Sequence, residues 1–419
     1  MNKRILHITR AHSKGPGVYT YTIHQELLKQ GYNSQVLTLY EPNNEDETVY
    51  SVVKKKFVLL NKIKTLFKIV ISKIESIDIN WDYYPYSLNE QKIKFNIATI
   101  FKKNNLKPDI IILYFTDSFL NAKSIHSIYK KTRAKIYWFL PDMGPLTGAC
   151  HYAWDCDGYR NACGNCPAIN SKDKYDKTHK NILYKLKYYK NIPIEFIAAS
   201  SQLYNQIKRS AIFRNNKTHK ILIPIDSERY KPIARKILRR KSEGKTIFIG
   251  AQGLNQKRKG LKILLDALKI AKLKYSLSSD DLFLIIAGNN IDKLSNQIVF
   301  NYKYVGYLDS NKELPEMLAS ADFYISPSIE DSGPMMLNQS IMAGTPVLAF
   351  NIGVAQDIII SGETGFIADK TNSEALAKQI YNITKLETKE IERMSQNCRA
   401  LAISKFSTEV IAKELIKYF

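Results

Sequence analysis

SPSIEDSGPMMLNQSIMAGTPVLAF, residues Ser326–Phe350, is the stretch on which the fold assignment turns. An apolar strand, FYISPS, leads into it, and the acidic, glycine-bearing loop Glu330-Asp331-Ser332-Gly333 follows. Pro334 stands where a first helical residue would, with Ser332 or Gly333 placed to cap. The helix MMLNQSIMAG closes at Gly344, and Pro346 opens the next strand, PVLAF. A helix start facing the loop at the carboxyl end of a parallel strand offers bare N–H groups to an anion. This layout predicts an enzyme that holds a diphosphate around Ser332, Gly333, Met335 and Met336. Asp331 is then kept for the hydroxyls of a sugar.

The same stretch resembles the signature of family 4 (group 1) glycosyltransferases, which have the GT-B fold. Their pattern is P-S-x-x-E, a later second Glu, then A-x-x-x-G-x-P-V. Read forward from Pro327, the first acid falls on Asp331; read back from Gly344, the second falls on Gln339. Asp thus replaces Glu at one position and Gln replaces it at the other. In the family the first acid contacts the donor sugar and the second the nucleotide ribose. Gln339 can still accept a hydrogen bond from a ribose hydroxyl, without charge assistance. A plain Rossmann-like strand–loop–helix is the rival reading, and the resemblance continues on both sides of it. The fold class expected is α/β, GT-B: two Rossmann-like doubly wound domains facing a cleft.

A chain of 419 residues has room for two domains of ordinary size. Its composition, 45% hydrophobic and 24% charged, is that of a globular protein. No run approaches the length of a membrane-spanning helix. MNKRILHITR reads as a first strand rather than a signal peptide, so a cytoplasmic chain is expected. The net charge of +23 admits nucleic acid, an anionic membrane or polyanionic substrates. No helix-turn-helix, RRM, KH or zinc-finger pattern is present, so nucleic acid is not an expected partner. Val53–Ile74 sets Lys54, Lys55, Lys56, Lys62, Lys64, Lys68 and Lys73 around Phe57, Leu60, Ile63, Phe67 and Ile71 at helical spacing. Such a helix either lies on an anionic membrane surface, making the protein peripheral on the inner face of the cytoplasmic membrane, or packs its stripe on its own domain.

Strands alternate with helices along the chain, which implies parallel sheets covered on both faces. Strands are expected at Ile5–Thr9, Ser34–Leu39, Asp109–Tyr114, Ile136–Leu140 and Phe196–Ala199, with a helix over Val18–Gln30. The second half repeats the alternation from Thr246–Gly250 through Leu261–Lys274, Leu282–Ala287, Tyr302–Val305, Leu314–Ala319 and Asp322–Ser326. The domains expected are residues 1–225, with a Cys-rich insertion at 147–170, and residues 246–404, joined by a linker at 226–245. IPIDSERYKP, at the start of that linker, looks like the interdomain segment of the family. A closing helix, Thr408–Tyr418 within residues 405–419, would cross back to the first domain, as the last helix does in GT-B enzymes.

Three further segments carry candidate site residues. HSKGPG, His12–Gly17, is a strand–helix turn in which Gly15 and Gly17 let backbone approach a ligand or serve the turn alone. In the family, such a turn borders the donor phosphates. GAQGLNQKRKG, Gly250–Gly260, ends in Lys259-Gly260, matching the family's diphosphate lysine. The family's earlier Arg is replaced by Ala251 or Gln252, and Arg258 is its candidate substitute. The third segment, Trp138–Pro167, looks like a family subgroup carrying D-M-x-x-x-T-G-x-C-H-Y. Many members have a His just before that Asp. Pro141 stands there instead, leaving Asp142 as the candidate near the reacting sugars, with Thr147 and Gly148 bordering the cleft. Cys150, Cys156, Cys163 and Cys166 suit a structural zinc, with His151 able to replace one thiolate; disulfides and free thiols are the alternatives.

The resemblance implies a retaining transferase without a catalytic metal. A sugar would pass from a nucleotide diphosphate-sugar to a hydroxyl of a lipid-linked saccharide, in the synthesis of a bacterial surface polysaccharide. The departing phosphate oxygen would take the acceptor proton. A non-catalytic saccharide- or nucleotide-sugar-binding subunit and a nucleotide-sugar epimerase are the rival readings.

Overall fold

Runs such as RILHIT and KIYWFL carry apolar side chains on both faces, which only a sheet covered on both sides can bury. The computed structural model describes residues 3–12, 15–40, 46–53, 78–85, 88–92, 95–233, 244–291, 295–308 and 312–419. The chain divides into two compact units. The basic segment Lys54–Lys73 lies outside the described residues, as do residues 234–243.

The first unit comprises Met1–Ala199, Leu203–Ile221 and Ala412–Phe419. Its strands are β1 (Arg4–Thr9), β2 (Asn33–Tyr40), β3 (Val49–Val53), β4 (Ile110–Leu113), β5 (Lys135–Leu140), β6 (Ile194–Ala198) and β7 (Thr218–Lys220). They pair in the order β3-β2-β1-β4-β5-β6-β7, every pair parallel. Strand order reverses between β1 and β4, so the crevice beyond their carboxyl ends is the natural ligand position. The tail is tied to this sheet: Lys135 Nζ donates to the Tyr418 carbonyl at 2.9 Å, and the Tyr137 hydroxyl donates to the same oxygen.

The second unit comprises Ser200–Gln202 and Leu222–Ile411. Its strands are β8 (Lys245–Gly253), β9 (Leu282–Asn289), β10 (Asn301–Gly306), β11 (Phe323–Ser326), β12 (Val347–Phe350) and β13 (Gly365–Ala368). They lie in the order β10-β9-β8-β11-β12-β13, again all parallel. Here the reversal falls between β8 and β11, the strands that feed the Lys259 loop and the Asp331 loop. The start of the expected linker packs within this unit: the Arg399 guanidinium donates to the carbonyls of Ser227, Tyr230 and Met342 at 2.6–2.9 Å.

Several boundaries differ from expectation. The first long helix runs Pro16–Lys29, with Gly15 as N-cap and Pro16 inside the first turn. Pro fits there because its missing N–H would be unpaired in any case. Likewise Pro334 is the N-cap of the helix Met335–Met342 and not its first residue. Its extended ψ of 104° ends the turn that points Asp331 inward, and no side chain caps this helix start. The edge strands β3, β7 and β13 escaped the sequence reading. VYSVV is half-buried throughout and THK is short and polar, so neither shows a burial pattern.

Candidate functional site

At the reversal point of the second sheet, two loops are fastened together. Beyond β8, the chain forms a single turn over Lys257–Lys259 that ends at Gly260. Gly260 has φ +66°, and a Cβ there would lie 1.8 Å from the Pro327 carbonyl oxygen. Only glycine permits that approach. The Ile329 amide then donates to the Arg258 carbonyl at 2.8 Å.

This fastening brings three charges together. Asp331 Oδ2 accepts from Lys259 Nζ at 2.6 Å and from Arg258 Nη1 at 2.9 Å. The side chains are 8%, 19% and 12% exposed for Asp331, Lys259 and Arg258. Burial opposes ionisation of Asp331, but the Lys259 and Arg258 charges overcome it and hold its carboxyl below the usual range. Burial lowers the Lys259 ammonium from its ordinary value, with Asp331 opposing and Arg258 adding to the effect. One carboxylate oxygen thus serves two cations in a sparsely hydrated place, where electrostatic interactions are strong.

The surrounding loop is held by its backbone. Ser200 Oγ donates to the Ser332 carbonyl at 2.8 Å, and Gln202 Oε1 accepts from the Gly353 amide at 2.6 Å. The Gly333 amide is directed at Asp331 Oδ1, 3.4 Å away. Ser332 is buried, whereas Gly333, Met335 and Met336 are half-buried beside the uncapped helix start. Gln339 lies further along that helix, 4% exposed, and its amide donates to the Tyr230 hydroxyl at 2.7 Å. The structure therefore brings Asp331, Lys259 and Arg258 together and joins Gln339 to Tyr230. Arg258, whose direction the sequence leaves open, turns onto Asp331.

In the first unit a pocket opens beyond the carboxyl ends of β4 and β5, lined by Phe115, Asp117, Trp138, Asp142, His151 and Lys185 among others. Asp142 Oδ1 lies 2.9 Å from His151 Nδ1 and accepts from the Gly144 amide at 2.8 Å. A Cβ on Gly144 would strike His151 Cε1 at 2.8 Å, so glycine makes room for the pair. Burial disfavours the imidazolium, yet the Asp142 charge and hydrogen bond, with Asp117, raise its pKa above the ordinary value. Lys185, 3% exposed, donates to the carbonyls of Gly144 and Thr147 at 2.9 and 2.8 Å and fixes the loop from below. His151 therefore points to Asp142, where the sequence left it as an alternative ligand beside the cysteines. Nothing in the spacing of Asp142 and His151 announces this pairing. Thr147, expected at a ligand-facing edge, is 1% exposed and its hydroxyl donates to the Cys150 carbonyl.

Of the glycines after β1, Gly17 serves the turn itself: a Cβ would stand 2.0 Å from the Ala11 carbonyl oxygen. Gly15 has φ +51° and, among the described residues, nothing within 4 Å of where a Cβ would stand. The four cysteines, all free, line one small cavity with Gly148, Gly158 and Tyr159. Burial pushes the Cys163 thiol up to about 12 and raises Cys150 and Cys166 as well. Among the described residues, no three His, Cys, Asp or Glu side chains already stand as a metal-ligand set. No helix among them is long and apolar enough to cross a membrane.

Residues 231–401 match the family model described as glycosyl transferases group 1. A phosphatidyl-myo-inositol mannosyltransferase of Mycobacterium leprae is 28% identical over 182 residues, 42% of this chain and 46% of that protein. The matched region thus spans about half of that relative's length. A putative colanic acid biosynthesis glycosyl transferase of Escherichia coli K12 is 22% identical over 317 residues, 72% of this chain and 73% of its own. Among solved structures, sucrose-phosphate synthase of Thermosynechococcus elongatus superposes with a TM-score of 0.68 at 15% identity, covering 99% of this chain and 98% of that one. The likeness establishes the fold as GT-B, with two parallel-sheet Rossmann-like units.

Proposed function

We propose that this chain is a hexosyl-type glycosyltransferase that uses a nucleotide diphosphate-sugar and a saccharide acceptor. The observation that carries the reading is the convergence of Lys259 and Arg258 on the single carboxylate Asp331 at the sheet reversal, beside an uncapped helix start. The match of residues 231–401 to the group 1 model falls on the same unit.

In the proposed reaction, configuration is retained. The bond between the sugar's anomeric carbon and the β-phosphate oxygen breaks, and its electron pair goes to the diphosphate. Lys259, Arg258 and the amides from Met335 onward stabilise that growing charge. The acceptor oxygen bonds to the anomeric carbon on the face the diphosphate leaves, and its proton passes to the departing phosphate oxygen. Asp331 orients the sugar through its hydroxyls, and Gln339 receives the ribose. The nucleotide diphosphate and the lengthened saccharide are the products. Asp142 and His151 offer a carboxylate and an imidazole to acceptor hydroxyls, beside the aromatic faces of Phe115 and Trp138. The acceptor we propose is lipid-linked, in surface polysaccharide synthesis at the cytoplasmic face of the membrane. Relatives named for colanic acid biosynthesis and for phosphatidyl-myo-inositol support a polysaccharide or lipid-linked acceptor.

The test is release of nucleoside diphosphate from a panel of nucleotide-sugars, with and without a lipid-linked saccharide extract. Acceptor-dependent release that disappears in Lys259→Met supports transfer. Donor binding with no release under any acceptor would instead support a non-catalytic binding subunit. The Asp331 charge already neutralised by its own neighbours is the observation that favours this second reading.

A further inference from the structure

We propose that Cys150, Cys156, Cys163 and Cys166 bind a structural zinc ion that fixes the loop carrying His151. Between β5 and the helix Lys177–Tyr189, residues 141–176 form no strand and only three short single turns. Met143, Leu146, Ala153 and Tyr159 anchor the segment in the main core of the unit, whereas the stretch around Cys150 and Cys166 packs only in a small satellite core with Leu88, Ala149, Ala168 and Ile169. Apolar burial on that satellite scale offsets little of the entropy of ordering the stretch around the cysteines. Long irregular segments of this kind are commonly held by a cross-link or a metal.

The fold has already collected the four thiols. All four line one cavity. The spot above the Gly158 Cα is 3.4 Å from Cys156 Sγ and 4.0 Å from Cys163 Sγ, and glycine leaves that space open. Cys163, Gly164 and Asn165 have successive φ values of +53°, +95° and +47°. Two of these residues are not glycine, so the knuckle is a costly conformation that the surroundings must enforce. Gly164 could not be replaced, since a Cβ would meet the Lys174 carbonyl oxygen at 2.1 Å. The knuckle turns Cys163 and Cys166 toward the same cavity. The Gly148 amide is aimed at Cys163 Sγ at 3.3 Å, and the Ala168 amide at Cys166, which are contacts that favour thiolate sulfur. The sulfurs have not yet closed into a ligand set. Coordination would require thiol rotation on a backbone that has already gathered them.

The consequence reaches the pocket described above. Cys150 is followed directly by His151, and the Thr147 hydroxyl and carbonyl tie the same turn to Cys150 and Lys185. A zinc on Cys150 would hold the His151 backbone in place for its pairing with Asp142. The ion is thus a positioning element with no part in the chemistry. This inference concerns the loop alone and survives or fails independently of the transferase reading.

The full chain purified without added metal or chelator should contain about one zinc per molecule by elemental analysis. Replacement of zinc by cobalt should give the visible ligand-field and sulfur-to-cobalt bands of a tetrahedral tetrathiolate site. Cys163→Ser and Cys166→Ser should each reduce bound zinc to below about a tenth per chain, whereas Cys398→Ser should leave it unchanged. If the cysteine variants fail to fold, the zinc and cobalt measurements on the unaltered chain still decide. Absence of metal, with four thiols that react freely or appear as disulfides by mass spectrometry, would overturn the proposal.

Discussion

Lys259 Nζ lies 2.6 Å from Asp331 Oδ2, and Arg258 Nη1 shares that oxygen at 2.9 Å. The two cations expected to hold a diphosphate are thus already held by the acid expected to meet the sugar. Donor binding at this place must partly exchange a carboxylate for a phosphate. Asp331 keeps the cations in position before the donor arrives.

Asp331→Asn removes the carboxylate while keeping its shape. Two partly buried cations then lose the carboxylate they share. A loss of about 2–3 kcal/mol is expected, somewhat under the roughly 3–5 kcal/mol of a fully buried pair. Added nucleoside diphosphate should raise the melting temperature of the variant by more than that of the unaltered protein. Differential scanning fluorimetry with and without the nucleotide checks this.

Gly260→Ala places a methyl group 1.8 Å from the Pro327 carbonyl at a φ of +66°. The Lys259 loop must then separate from the Asp331 loop. Stability should fall by about 1–3 kcal/mol and donor-dependent turnover should drop at least about tenfold. Urea unfolding and nucleotide release, measured on the same preparation, read the two effects.

Gln339→Glu places a carboxylate at the proposed ribose contact. A charge-assisted bond is stronger than a neutral one, so nucleotide affinity should rise several-fold, worth about 1 kcal/mol. The Tyr230 hydroxyl can donate to the new carboxylate, so the fold should tolerate the change. Calorimetric titration of the nucleotide into both proteins measures it, and unaltered or weaker binding would place the ribose elsewhere.

The first unit predicts its own pH response. His7 lies between the Tyr114 hydroxyl and Ser34, and His24 between Ser34 and Thr48, all within 3.1 Å. Burial lowers His24 from 6.5 to about 4, with Asp46 opposing and His12 adding to the effect. Burial also takes His7 well below its ordinary value. Between about pH 6.5 and 4 the unfolded chain binds more protons than the folded one. Stability is therefore complete above that window and is lost as pH falls through it, by up to about 1.4 kcal/mol per pH unit for each histidine. Urea midpoints across this range should fall steeply, and less steeply in His24→Gln.

What the sequence disclosed and what it concealed divide along physical lines. Strand–helix alternation and the Pro327–Pro346 punctuation made both sheets legible, because buried parallel strands are continuous apolar runs. The half-buried edge β3 and the short polar β7 lacked such runs. Lys259 and Asp331 could be named from their motifs, but their mutual ion pair could not. It depends on the Gly260–Pro327 approach, a contact between loops distant in sequence. His151 was visible only as a possible metal ligand. Its pairing with Asp142 depends on the small volume of Gly144, and neither periodicity nor spacing records that.

The central claim is that a nucleoside diphosphate binds at Lys259 and Arg258. Titration of UDP and GDP, each with and without an attached sugar, into the unaltered chain and Lys259→Met tests it most directly. The account predicts one binding site for at least one nucleotide, weakened at least about tenfold by the substitution and increasingly so at low salt. Equal affinity in both proteins, or no binding of either nucleotide to the folded unaltered chain, would contradict it.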